Sequence, residues 1–188
     1  MSNLYLPKTK SPIEQVLKDS IRNSFLKKYR DCNVCEYEAK FNYKSAYSYY
    51  LILKSIVYFL WYFRNTKKIL EYQIEGINLG LVAYATALRN LRVYQSKLFL
   101  ILRLLIQFIL STIEYISAIN IAKDAQAVYV GDISYRGGVL FDVCMKQNVG
   151  VYINRSPFGL VFCKNRKFTS RNIGKYPFPK TQFLDKDY

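Results

Sequence analysis

The chain has no histidine among its 188 residues. Serine and cysteine triads, His-ligated zinc and imidazole acid–base chemistry are therefore excluded, because each needs that ring. Catalysis, if there is any, must run on carboxylates, Tyr, Lys, backbone dipoles or a cofactor. Cysteine is scarce too, at four residues. Four are too few for a disulfide scaffold in a chain of this length. Cys32 and Cys35 form one CxxC, but Cys144 and Cys163 supply no second knuckle, so four free thiols and no metal site are expected. Residues 1–10 lack the apolar run of a cleavable signal, and with the thiols this points to a reducing cytoplasm. Acidic groups are few, 13 against 28 Lys and Arg, for a net charge of +15. A polyanionic or anionic-surface partner fits that balance. Disorder is excluded, since 51% hydrophobic and 16% aromatic residues supply ample buriable surface.

There is no internal repeat. Charge divides the chain in three: residues 1–72 carry 13 basic and 6 acidic groups, 73–122 carry 4 and 2, and 123–188 carry 11 and 5. The apolar helices fall in the neutral middle and just before it. Helical spacing of Ile13, Val16, Leu17, Ile21 and Phe25 behind a Ser11 cap predicts an amphipathic helix over 12–29 with a basic exposed face. Residues 45–64 are apolar almost all round, which suits a core helix or an aromatic face at a membrane interface. The run at 98–122 is long enough to cross a bilayer. Arg103, Gln107, Ser111 and Glu114 share one of its faces, and burying Arg in lipid costs about 2.5–3.5 kcal/mol. A soluble core helix over 95–122 with that stripe outward is expected instead.

Leu70, Tyr72 and Ile74 alternate with polar residues, predicting a strand over 70–75 ended by Gly76. Asn78 then caps a helix over 78–91, and Gly80 in its first turn implies close approach of backbone or ligand. Residues 127–131 form a doubly buried strand. Gly137 and Gly138 open a helix over 138–147, and 149–153 reads as the next strand, which makes a β-α-β unit with parallel strands. Ligands of such sheets bind at the carboxyl ends of strands, here at Asp132, Ser134, Tyr135 and Arg136, with Asn154 and Arg155 after the second strand and the helix N-terminus at Gly137. GDISYRGG is neither a dinucleotide fingerprint nor a P-loop. A purely structural reading is also open: Asp132 caps the turn, Tyr135 packs on the sheet, the glycines make the corner and Arg89 is a solvated charge favoured by the helix dipole.

Gly76, Ile77 and Gly80 opening a helix that ends in Leu88 and Arg89, followed by VYVGDISYRGGVLFDVCMKQNVGVYI at 128–153, resemble the N-terminal domain of bacterial capsule and surface-polysaccharide glycosyltransferases of the two-Rossmann-domain (GT-B) type. The resemblance spans residues 65–155. It implies a Rossmann-like α/β domain over 1–163, with N-terminal helices in 1–66, the family-like core in 67–163 and a basic loop or linker over 164–188. It also implies an acceptor-side half whose donor, a nucleotide sugar, is held by a second Rossmann domain or subunit, this chain binding no cofactor itself. In that frame Asp132 is the general base for a glycan or lipid-linked acceptor, and Gly76, Gly80, Arg89, Ser134, Tyr135, Arg136, Gly137, Asn154 and Arg155 line the cleft. The corresponding location is the cytoplasm, peripheral on the inner face of the plasma membrane. Two other classes compete: a basic nucleic-acid-binding protein, for which no recognition motif is present, and a non-catalytic protein on an anionic membrane surface.

Overall fold

A computed structural model describes residues 2–8, 12–28, 32–37, 45–89, 97–131, 133, 137–154 and 160–164. Their order is β1 (Ser2–Pro7), α1 (Pro12–Lys28), β2 (Cys32–Tyr37), α2 (Ala46–Tyr62), α3 (Thr66–Glu71), β3 (Gln73–Ile74) and β4 (Ile77–Asn78). There follow α4 (Leu79–Leu88), α5 (Lys97–Asp124), β5 (Ala127–Val130), α6 (Gly137–Lys146), β6 (Gly150–Asn154) and β7 (Leu160–Cys163). By contacts the chain forms two compact units, one of residues 1–39 with 118–188 and one of residues 40–117.

The first unit is α/β. Its five-stranded sheet runs β2-β1-β5-β6-β7, parallel except for the last strand, which pairs antiparallel with β6. The parallel pairing of β5 with β6 agrees with the expectation from the sequence, as does the α/β class with its mostly parallel sheet. Two of the strands, β1 and β2, lie in 1–66, where the sequence predicts helices alone. Leu4 and Leu6 of β1 turn to one face and pack with Ile21 and Phe25 of α1, Ala127 and Tyr129 of β5, and Tyr152 of β6. Val128, Val130, Val151 and Ile153, which point the other way along their strands, are also buried, so the middle of the sheet is covered on both sides. The α6 helix packs against β5 and β6.

The buried stripe of α1 differs from the expected one. Ile21 and Phe25 lie inside, but Val16 is 69% exposed and Lys18, a basic residue of a helix whose exposed face was expected to be basic, is buried. The Lys18 ammonium is 3.6 Å from an oxygen of the exposed Glu36 carboxylate on β2 and makes no hydrogen bond. An ion pair half in water repays little of the cost of burying an ammonium. Replacing Lys18 by methionine, close in volume, is expected to be neutral or to stabilise the protein by up to about 3 kcal/mol, read as a higher urea midpoint at unchanged slope. A midpoint lowered by more than experimental scatter would show that the pair outweighs its desolvation.

The second unit is helical. The strand expected over 70–75 and assigned to the main sheet is corrected here. Asn65 accepts a hydrogen bond from the Lys68 backbone N–H at 3.2 Å and starts α3 across 66–71 instead. Only Gln73 and Ile74 are extended, and they pair antiparallel with Ile77 and Asn78 in a two-stranded hairpin apart from the sheet. Glu75 and Gly76 make its turn, both at positive φ (47° and 79°), as a two-residue hairpin loop matched to strand twist requires. Asn78 caps α4 by accepting from the Leu81 N–H at 2.8 Å, while its own amide donates to the Leu70 carbonyl at 2.9 Å.

The stripe on α5 is also corrected. Ser111 is fully buried and Gln107 has a buried, unpaired Oε1, whereas Leu98, Leu102 and Ile106 are exposed. The polar positions share a face that is partly covered: Ser111 is buried and Arg103, Gln107 and Glu114 are half-buried. Beside it Phe108 packs toward Phe59 of α2 and Tyr72. The Phe108 ring lies 5.3 Å from the first and 5.5 Å from the second.

Candidate functional site in the sheet unit

Counted among themselves the sheet strands stand in the order 2-1-3-4-5. From β1 the chain winds outward to β2 on one side, and from β5 to β6 on the other. Adjacent parallel strands whose connections leave in opposite directions open a crevice at their carboxyl ends, and this is where doubly wound sheets hold ligands. Here those strands are β1 and β5.

The hydrogen bonding at that point is unequal. Between β5 and β6 four residue pairs are in register, up to Val130 with Ile153. Between β1 and β5 there are two, Leu4 with Ala127 and Tyr5 with Val128. Pro7 closes β1 and has no N–H to offer a ladder. The Tyr129 carbonyl is taken instead by the Tyr37 phenol, which donates to it at 3.0 Å from two strands away. Ladder bonding between β1 and β2 continues past the strand end, since the Lys8 N–H donates to the Tyr37 carbonyl at 3.0 Å. The carboxyl ends of these strands are thus fixed from both sides. At the opposite ends of these strands the Asn3 amide donates to the Asp124 carbonyl at 3.0 Å and the Gln126 N–H to the Asn3 carbonyl at 2.8 Å. Below the crevice, burial raises the pKa of the Tyr5 phenol, with Cys35 and Asp124 adding to it, so Tyr5 presents a neutral hydroxyl.

Of the residues singled out in the sequence for this end of the sheet, Gly137 begins α6 and is half-buried, and Asn154 ends β6 opposite Leu160. Asp132, Ser134, Tyr135, Arg136 and Arg155 lie outside the described residues, as do the Ser11 cap and residues 165–188. Lys8 and Tyr37 escaped the sequence reading. Their signal was the Leu4/Leu6 alternation ahead of Pro7, which is short but has the period of a strand.

Gly76, Gly80 and Arg89 belong to the other unit. Gly76 is at the hairpin tip, with nothing within 4 Å of where a Cβ would stand. Gly80 is buried, and a Cβ there would run into the Ile69 carbonyl oxygen and lie 3.1 Å from the Tyr72 Cβ. The Tyr72 carbonyl accepts from the N–H groups of both Leu79 and Gly80, each at 3.0 Å. The close approach expected at Gly80 is therefore one of backbone to backbone. Arg89 caps the end of α4 through its N–H, which donates to the Ala85 carbonyl at 3.1 Å. Also in this unit, Tyr47 donates to a Glu75 carboxylate oxygen at 3.2 Å, and the Tyr72 hydroxyl is buried without a hydrogen-bond partner.

Three of the cysteines have described side chains, and these carry thiols. Cys35 is half-buried, Cys144 and Cys163 are buried, and none is in a disulfide. Burial pushes the Cys144 thiol up to about 12, which makes it a core side chain rather than a nucleophile. Among the described residues no three Cys, Asp or Glu side chains converge as a metal site would need. Compared with protein-family models, with curated proteins and with solved structures, the chain finds no match.

Proposed function

We propose that this chain is the acceptor-side half of a glycosyltransferase-like enzyme of bacterial surface or capsular polysaccharide assembly. The observation that supports the reading is the doubly wound strand order of a mostly parallel sheet, whose switch point falls between β1 and β5. In this proposal the loop 131–137 and the end of β6 hold a glycan or lipid-linked acceptor. Ser134, Tyr135, Arg136, Asn154 and Arg155 supply hydrogen bonds, and the α6 N-terminus at Gly137 supplies backbone donors. Asp132 takes the acceptor proton as general base, a role open to a carboxylate in a chain without histidine. The nucleotide sugar is held by a second α/β domain or subunit, and transfer depends on the two halves being in register to within about an ångström.

The test is binding first and turnover second. By native mass spectrometry the purified chain is expected to carry oligosaccharide or lipid-linked saccharide, with affinity lowered about tenfold in Arg136→Ala or Arg155→Ala. Once paired with a donor-binding domain, Asp132→Asn is expected to lower kcat by about 10²–10⁴ while leaving acceptor affinity nearly unchanged. A chain that carries oligonucleotide and no saccharide would replace this reading with the nucleic-acid one.

A further inference from the structure

One helix of the helical unit, α2, is inverted in polarity. On α2 the residues turned into the protein are Ser48, Leu51, Ser55 and Phe59, while Tyr50, Leu53, Val57, Leu60 and Trp61 face outward. Trp61 is 79% exposed. The inner polar atoms have local solutions, as when the Ser55 hydroxyl donates to the Ile52 carbonyl at 2.8 Å. The start of α5 adds to this surface: Leu98, Leu102 and Ile106 lie outside, while Leu104, Phe108, Ser111 and Thr112 lie within. An isolated exposed leucine means nothing, but a continuous stripe of large side chains along one helix marks a surface that meets something other than water. Along α2 that stripe borders an open groove of about 400 Å³ lined by Tyr50, Leu53, Lys54, Val57, Tyr58 and Trp61.

Charge narrows the choice of what covers it. Residues 46–68 contain Lys54, Arg64, Lys67 and Lys68 and no Asp or Glu. All four cations are exposed, Lys68 with its ammonium 4.0 Å from the Glu71 carboxylate. A second copy of this chain would bring like charges together over the same stripe. An anionic bilayer surface offers the opposite charge beside an apolar interior, and aromatic side chains favour the boundary between them. Lys54, in the middle of the stripe, can lay its methylenes along the apolar surface and keep its ammonium among headgroups.

We infer that α2 docks this chain on the surface of an anionic lipid bilayer, lying in the headgroup boundary with Tyr50, Leu53, Val57, Leu60 and Trp61 immersed. The first turns of α5 provide a second apolar contact through Leu98, Leu102 and Ile106. Spanning is a different matter. Lys97–Asp124 is long and apolar enough to cross a membrane. Its exposed apolar positions, however, cover about 12 Å along the axis, against a hydrocarbon thickness of about 30 Å, and from Phe108 onward its large apolar side chains are buried or half-buried.

The inference is independent of the saccharide reading and is tested without any glycan. Trp61 is the single tryptophan, so its emission reports on this face alone. The purified full chain is mixed with vesicles of phosphatidylcholine alone or with phosphatidylglycerol. Co-flotation with the anionic vesicles is expected, with a blue shift of Trp61 and quenching by lipids brominated near the headgroup. Binding should weaken about tenfold or more in Leu53→Ser/Leu60→Ser, both exposed positions whose loss leaves the packed face intact. It should also weaken with salt and in Lys54→Gln/Arg64→Gln/Lys67→Gln. Failure to float overturns the inference, as does flotation undiminished in both variants. Quenching at the bilayer centre would mean spanning instead. A blue shift that follows protein concentration in the absence of lipid would mean that a second copy covers the face.

Discussion

Gly80→Ala is expected to lower stability at or beyond the upper end of the roughly 1–3 kcal/mol typical of overpacking, and Gly80→Val to leave the helical unit unfolded. The new Cβ meets the Ile69 carbonyl oxygen, a backbone atom at the end of α3 that cannot rotate away as a side chain would. That carbonyl accepts the Tyr72 N–H, and the Tyr72 carbonyl in turn accepts from Leu79 and Gly80, so displacing it disturbs three hydrogen bonds at once. Gly76→Ala is the control. It meets nothing within 4 Å and is penalised only by its φ of 79°, about 1–2 kcal/mol. Urea midpoints of the two variants give the comparison, and equal losses would contradict the close crossing. The resemblance that implied a binding role for Gly80 is tested by the same protein, through saccharide affinity measured on its folded fraction.

The second large effect is alkaline. Burial raises the phenols of Tyr72 and Tyr115 far above their ordinary 10. Nearby Tyr58 and Tyr50 add to the first, and the Glu75 carboxylate adds to the second. The fold therefore favours the neutral phenol. Below pH 10 both states hold these protons and stability does not depend on them. Above it the unfolded chain releases them while the folded chain keeps them, and each phenol withdraws about 1.4 kcal/mol per pH unit. Near pH 11.5 the pair together removes about 4 kcal/mol, a large share of an ordinary domain's stability. In the sheet unit the Cys144 thiol acts in the same direction from pH 9 upward. Absorbance of tyrosinate on alkaline titration should show most of the 18 tyrosines ionising together and a lagging fraction that ionises with unfolding. Tyr72→Phe/Tyr115→Phe should flatten the loss above pH 10. A titration in which all tyrosines ionise reversibly with the fold intact would refute the burial.

The long helices were legible from periodicity, because spacing of apolar residues over many turns is a strong local signal. Three features were not. Alternation across Leu70, Tyr72 and Ile74 has the period of a strand, yet the Asn65 cap claims residues 66–71 for α3 and leaves only a two-residue hairpin arm. On α5 the sequence reveals that Arg103, Gln107, Ser111 and Glu114 share a face but not how far that face is covered, and Ser111 is buried where the ordinary assumption puts polar groups outside. The crevice was half legible: the ends of β5 and β6 follow from their own residues, whereas the part of β1 depends on pairing with a strand 120 residues away, which no local pattern encodes.

That distant pairing bears on how the chain is made. During synthesis β1 emerges first and can pair early with β2, across α1, but its other edge must wait for Ala127 and Val128. At about 5–20 residues per second on the ribosome, that wait lasts roughly 6–25 seconds, with Leu4 and Leu6 beside an open strand edge. An edge held open so long is a template for other chains. Production of this protein should therefore gain in yield from slower translation of residues 40–117 only if a chaperone occupies that edge, and should otherwise lose by it.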